Sequence, residues 1–194
     1  MTLINRLLQG LLLAGIGGYT LPLALAENPI PQADNVALVP QTQIRVYFTP
    51  GDSAEMAIVD QLLKARESIL VQAYSFTNPA IATALADARN RGVNVVILLD
   101  KSHRTQRYSA ADFTSNAGIQ TLIDDRHAIA HNKIMIIDGR VVITGSYNFT
   151  KAAEKSNAEN LVIIESGSVA EKYHNNWQKH RRHSQPFQRI NSSQ

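Results

Sequence analysis

The chain has 194 residues, 44% hydrophobic and 18% charged, a composition that fits one domain with a packed core and excludes a disordered or multi-span membrane protein. A formal net charge of +3 permits a polyanionic partner without requiring one. There are no cysteines, which excludes a disulfide framework and a thiolate metal site alike.

Residues 1–26 read as a secretory signal peptide. Arg6 supplies the positive start, and an apolar stretch runs from Leu7 to about Leu25. Ala24-Leu25-Ala26 then offers small residues where a signal peptidase cuts. The apolar run approaches the ~20 residues of a membrane anchor. Gly15, Gly17, Gly18 and Pro22 interrupt it and favour cleavage. The expected product starts at Glu27, is periplasmic or secreted in a bacterium, and has no stable membrane association. Residues 27–43 read as an extended lead-in, 44–183 as the domain, and 184–194 as a polar, frayed tail.

Within the domain, Ile44 to Phe48 reads as a strand that stops at Pro50-Gly51. Asp52 or Ser53 can cap a helix with Met56, Val59, Leu62, Leu63 and Ala65 at helical spacing. Ser68 to Tyr74 is strand-like, and Asn78-Pro79 opens a second helix that ends at Gly92. Val93 to Leu99 is a nearly continuous apolar run, the mark of a strand buried on both faces. Lys101 to Gly118 is polar and carries no clear pattern, and Ile119 to Ile123 is a short strand. The runs Lys133–Ile137 and Val141–Thr144 flank Asp138-Gly139-Arg140, a strong hairpin signal. A short helix from about Phe149 to Lys155, a strand from Asn160 to Ile164 and a helix from about Ser168 to His180 complete the chain. This order predicts a single α/β domain, a mixed central sheet flanked by helices on both faces.

Chemistry concentrates in His131-Asn132-Lys133 through Asp138, followed by Gly145-Ser146-Tyr147-Asn148. His131 and Lys133 stand two apart at the head of a strand and so face the same way. Ser146 and Asn148 stand where a strand ends and a helix is expected to begin, a setting that receives phosphate well. A lysine and an amide can hold non-bridging oxygens while a histidine handles nucleophile or proton chemistry.

His131, Lys133, Asp138, Gly145, Ser146 and Asn148 match His-x-Lys-x4-Asp-x6-Gly-Ser-x-Asn at every position. The chain thereby resembles the phospholipase D superfamily, and most of all its small bacterial endonucleases with one motif copy. The resemblance implies that His131 attacks phosphorus and forms a phosphohistidine, while a second histidine from another motif copy protonates the leaving oxygen. It implies that Lys133, Ser146 and Asn148 bind phosphate, and that no metal or other cofactor is needed. It places an acidic residue beyond Asn148 to orient His131, with Glu159 the best match and Glu154 nearer in sequence. Asp138 belongs to the motif and is counted with the catalytic set. Seven residues from His131, it stands too far along the strand to orient the ring, and a structural role in the turn is expected. One motif copy and two histidine roles together imply a homodimer with one shared site.

His103, His127, His174, His180 and His183 show no metal-ligand spacing and read mostly as surface residues, with His127 a candidate neighbour of the site. The Lys179–His183 run, Arg104 and Arg107 are candidate contacts to a nucleic-acid backbone. The expected activity is a nuclease acting on DNA or RNA. A lipid phosphodiesterase of the same superfamily and a catalytically decayed nucleic-acid-binding module are the rivals.

Overall fold

A computed structural model describes residues 42–189. The signal peptide, most of the extended lead-in and the last five residues lie outside this range. The sheet contains β1 (Gln43–Thr49), β2 (Ser68–Ala73), β3 (Asn94–Asp100), β4 (Gln120–Asp124), β5 (Lys133–Ile137), β6 (Val141–Gly145), β7 (Glu159–Glu165) and β8 (Gln185–Pro186). Their spatial order is β1-β7-β6-β5-β2-β3-β4-β8. β2, β3 and β4 run parallel, and every other pairing is antiparallel. The mixed sheet and single layered domain agree with expectation.

The α-helices among the described residues are α1 (Ala54–Lys64), α2 (Pro79–Asn90), α3 (Ala111–Asn116), α4 (Lys151–Lys155) and α5 (Gly167–Arg181). Strand alternation divides the core between the two faces. Ile69 and Val71 of β2, Val95, Ile97 and Leu99 of β3, and Met135 and Ile137 of β5 pack with residues from α1 to α4. Leu70, Val96, Leu98, Ile134 and Ile136 point the other way, against Val169, Ala170 and Trp177 of α5. The Trp177 indole N–H donates to the Val71 carbonyl at 3.0 Å, which satisfies the one polar atom that burial of this ring would strand.

Three local expectations are corrected. Of the expected positions Leu62 and Ala65 are buried and Val59 packs against the core, but Met56 and Leu63 are exposed, and Ala54, Ile58 and Gln61 are buried in their stead. Both sets have helical spacing, and the position of the sheet chooses between them. The unplaced stretch after β3 forms a 3-10 turn, Lys101–Arg104, followed by α3. The Asp100 carboxylate caps the turn by accepting from the Ser102 N–H at 2.9 Å. The tail is not frayed through residue 189: β8 pairs with β4, the Phe187 N–H donates to Thr121 O at 2.9 Å, and Arg189 pairs with Asp112. A polar tail docks here because the edge of β4 offers unpaired backbone groups.

Candidate active site

The register brings the motif to one end of the sheet. Lys133 opens β5 opposite Ala73, the last residue of the antiparallel β2. Gly145 closes β6 opposite Leu161 of β7, near Glu159 at the start of that strand. His131, Lys133, Ser146, Asn148 and Glu159 therefore share one rim with Tyr74, which follows β2.

Gly145 has φ of 144°, and a Cβ there would stand 2.2 Å from the Asn160 carbonyl oxygen. Only glycine fits this close approach of β6 to β7. Beyond it, Ser146 N–H donates to Asn160 O at 3.0 Å, and Ser146 Oγ accepts from the Asn160 N–H at 3.0 Å. The chain then runs beside the segment that leaves β2: Phe149 N–H donates to Ser75 O, while Thr77 and Asn78 donate to Phe149 O. Backbone pairing thus joins the two halves of the motif to the end of β2.

His131 is exposed and Lys133 is buried. Lys133 Nζ donates to the His131 carbonyl at 2.8 Å and faces His131 Nδ1 at 3.1 Å. The Tyr74 ring stands 4.5 Å from the His131 imidazole, centroid to centroid, with Lys133 Nζ 5.2 Å from the same ring. Burial pulls the Lys133 ammonium below the ordinary lysine range, and the Glu159 carboxylate opposes that fall. The Asn148 amide is half-buried, its Oδ1 has no partner, and it makes no side-chain hydrogen bond among the described residues. Buried amides are normally satisfied, so this one is available to a ligand.

Glu159 does not orient His131 within the chain, contrary to expectation. Its Oε2 accepts from Ser146 Oγ at 2.6 Å and its Oε1 from Asn157 Nδ2 at 3.1 Å. The reason is spacing: β7 lies two strands from β5, about 10 Å at ~4.8 Å per strand, with Ser146 between. The alternative, Glu154, accepts from Tyr147 OH and the Glu55 N–H, both at 2.9 Å. That carboxylate anchors α4 and the start of α1 and belongs to neither His131 nor the rim.

Asp138 is corrected from the catalytic set. It sits at the far end of β5, about 16 Å along the strand from the rim at ~3.3 Å per residue. Its carboxylate accepts from the N–H groups of Arg66, Glu67 and Ser68 at 2.8–2.9 Å. A φ of 51° at Asp138 and 60° at Gly139 makes the hairpin turn that aims it there. The expected helix-start contribution is corrected too. α4 begins at Lys151, and Thr150 Oγ caps it by accepting from the Ala153 N–H at 3.1 Å. Asn148 precedes that cap and is not part of it.

Sequence reasoning missed the supports of the rim. The buried Asp100 accepts from the Ala130 N–H at 2.7 Å and so fixes the residue before His131. Asn132 accepts from Gln72 Nε2 at 3.1 Å. His103 is not on the surface but fully buried, with Nε2 2.9 Å from Tyr74 O and Nδ1 2.5 Å from Ser109 Oγ. The carbonyl can only accept, so Nε2 carries the proton and Nδ1 accepts from the serine hydroxyl. Burial holds the His103 imidazole below its ordinary value, which keeps it neutral. The available signal was position: Tyr74 and Asp100 both stand at carboxyl ends of parallel strands, where open α/β sheets place their ligands.

The family described as "Cardiolipin synthase, PLD-like domain" matches residues 58–181. A protein named phospholipase D from Rickettsia bellii is 44% identical over 79% of this chain and 77% of its own length. A mitochondrial cardiolipin hydrolase from Xenopus laevis is 30% identical over 73% of this chain and 68% of its own. Among solved structures, Nuc from Salmonella typhimurium, a phospholipase D family member, superposes with a TM-score of 0.73. It is 37% identical, and the match covers 77% of this chain and all of Nuc. Fold, motif and kinship agree, and the chain belongs to the phospholipase D superfamily as a phosphodiesterase of that type.

Proposed function

We propose that the protein is a metal-independent nuclease that cleaves phosphodiester bonds of DNA or RNA at the His131 rim. The observation that carries the reading is the pairing of an exposed His131 with a buried Lys133 amine 3.1 Å away, on a rim with an Asn148 amide whose Oδ1 has no partner among the described residues. Lys133 and Asn148 bind non-bridging oxygens and hold the phosphorus before the imidazole. A ring nitrogen lone pair of His131 attacks phosphorus, the P–O bond to the leaving nucleotide breaks, and a phosphohistidine forms. A second imidazole gives its proton to the leaving oxygen, then takes one from the water that hydrolyses the adduct and frees His131.

Within the described residues no second histidine is placed for that role. His103 is buried and held by Tyr74 and Ser109, and His174 bonds Gln178. His127, His180 and His183 gather on Asp124. A homodimer that brings two copies of His131 together completes the reaction with one shared site per dimer.

Nucleic acid is favoured over lipid by what surrounds the rim. Tyr74, Asn132, Ser146 and Glu159 are polar or aromatic, not an aliphatic wall for acyl chains. The same end of the sheet carries Arg126, Lys179 and Arg182 around one cleft, as a polyanion would require. The described residues contain no helix long and apolar enough to cross a membrane. Export with cleavage before Glu27, to the periplasm or medium, completes the reading.

Lipid is the second reading, because the Rickettsia relative carries the name phospholipase D. The test is purified protein with plasmid DNA, and separately with phosphatidylcholine vesicles, in EDTA. Nicking of the plasmid with intact vesicles supports the nuclease. Vesicle hydrolysis without nicking selects the lipid reading, and activity that returns only with Mg²⁺ overturns the mechanism.

A further inference from the structure

Away from the rim, the sequence holds two short pairs, Asp124-x2-His127 and His180-x2-His183, separated by 56 residues between Asp124 and His180. The fold superimposes them. Asp124 ends β4 and is only 1% exposed, while His180 and His183 stand in and just beyond the last turn of α5. His180 Nδ1 lies 2.6 Å from one Asp124 oxygen, and His183 Nε2 lies 3.1 Å from the other. His127 Nδ1 lies 3.1 Å from both. The three rings face one another with centroids 4.8, 5.4 and 5.7 Å apart. Along the sequence these histidines show no metal-ligand spacing, because the arrangement exists only as two pairs that the fold brings together.

We propose that Asp124, His127, His180 and His183 form a structural zinc(II) site that ties the end of α5 to the end of β4. Three imidazoles on one carboxylate are hard to satisfy with protons alone. If all three are protonated, three positive charges crowd one negative charge. If all are neutral, two carboxylate oxygens serve three N–H donors and the other ring nitrogens turn away. A divalent cation takes a lone pair from each neutral imidazole and one from the carboxylate, and all four groups then point inward.

Geometry supports this occupant. The four donor atoms lie within 4.8 Å of one another. A zinc tetrahedron with bonds of ~2.0–2.2 Å has edges of about 3.3 Å. Two of the three Asp–His separations, at 3.1 Å, already approach that edge. The His180 separation of 2.6 Å must open by a few tenths of an ångström, and side-chain rotation of the exposed His127 and the partly buried His180 and His183 closes the rest. Three imidazoles and one carboxylate suit zinc, whereas calcium and magnesium prefer all-oxygen shells. Four protein ligands fill the tetrahedron and leave no open position for substrate or activated water. Such a site is compatible with metal-free chemistry at His131, and its existence does not depend on whether the substrate is nucleic acid or lipid.

Its consequence is mechanical. His127 precedes His131 by four residues, and β8 begins two residues after His183. Along the sheet, β4 lies three strands from β5, about 14 Å at ~4.8 Å per strand. The metal would hold the loop that delivers His131 and fix β8 on the β4 edge.

The test is zinc content by mass spectrometry after loading and dialysis in metal-free buffer, with cobalt(II) substitution to report geometry. About one zinc per chain is expected in the wild type and in His131→Ala, with a tetrahedral visible band for cobalt, and none in the His180→Ala/His183→Ala double variant. Zinc at a hundredfold excess over Kd should raise the wild-type Tm by about 5–10 °C. No retained zinc in the wild type, or equal zinc in the double variant, overturns the proposal. If the double variant does not fold, exposed His127→Ala serves instead: at least a tenfold loss of zinc affinity supports the site, and unchanged affinity refutes it. Removal of zinc should lower Tm while the initial rate in EDTA persists, which separates failure of this site from failure of the catalytic reading.

Discussion

At one end of β5, His131 and Lys133 meet at an open rim that also carries an Asn148 amide whose Oδ1 has no partner among the described residues. At the other end, Asp138 gives both carboxylate oxygens to three backbone N–H groups. Both ends belong to one sequence motif eight residues long, yet one keeps its hydrogen-bonding capacity for a ligand and the other spends it on the fold. Burial alone would raise the Asp138 carboxyl, but the N–H groups of Ser68, Glu67 and Arg66 outweigh it and hold it below the carboxylate range. A motif is thus a record of constraint, and only the partners of each residue reveal whether the constraint is chemical or architectural.

The sharpest break between the two ends is kinetic. His131→Ala and Lys133→Ala should each lower turnover by at least ~10³-fold, with the circular dichroism spectrum and urea midpoint nearly unchanged. Near-normal turnover in either variant would remove the rim from the chemistry. Asp138→Ala should do the reverse. It should cost about 2–3 kcal/mol of stability in urea titration, while activity per folded molecule stays within about twofold. The Asp138 contribution should be fully present above the ordinary carboxyl value of 3.8 and lost as pH falls through the depressed native value. A large kcat loss in folded Asp138→Ala would return this residue to the catalytic set.

A smaller effect tests how the rim is completed. Wild-type and His131→Ala chains, mixed equally and allowed to exchange, should retain about a quarter of the wild-type activity if two chains share one site. Retention of half, with exchange confirmed, would mean that each chain holds a whole site.

The smallest effect concerns the support under Tyr74. Burial depresses the His103 imidazole in the fold, so the unfolded chain binds its proton more readily. Stability from His103 is therefore present above its unfolded value of 6.5 and declines as pH falls below it. His103→Gln, which keeps an amide donor near Tyr74 O, should flatten the fall in Tm between pH 7 and 5. An unchanged slope would show that His103 does not titrate against folding.

The α/β class, the β5–β6 hairpin and the gathering of His131, Lys133, Ser146 and Asn148 at one end of the sheet were legible in the sequence. Each rests on local signals: apolar runs, an Asp-Gly turn between strands, and fixed spacing within one stretch. Asp138 was legible as structural by distance, since one strand length separates it from the rim. The partner of Glu159 was not, because a carboxylate that reaches Ser146 instead of His131 is decided by strand order across the sheet. Neither was the whole buried face of α1, where Leu62 and Ala65 are buried as expected but Met56 and Leu63 give way to Ala54, Ile58 and Gln61. His103 looked like a surface residue until the sheet end closed around it. Asp124, His127, His180 and His183 are two unremarkable pairs in sequence. They become one cluster only because β4 lies at the end of the parallel strands and α5 packs back across that face. Spacing along the chain determines what neighbours can do together, whereas contacts between distant segments depend on which strands pair, and pairing is settled by burial of the whole core.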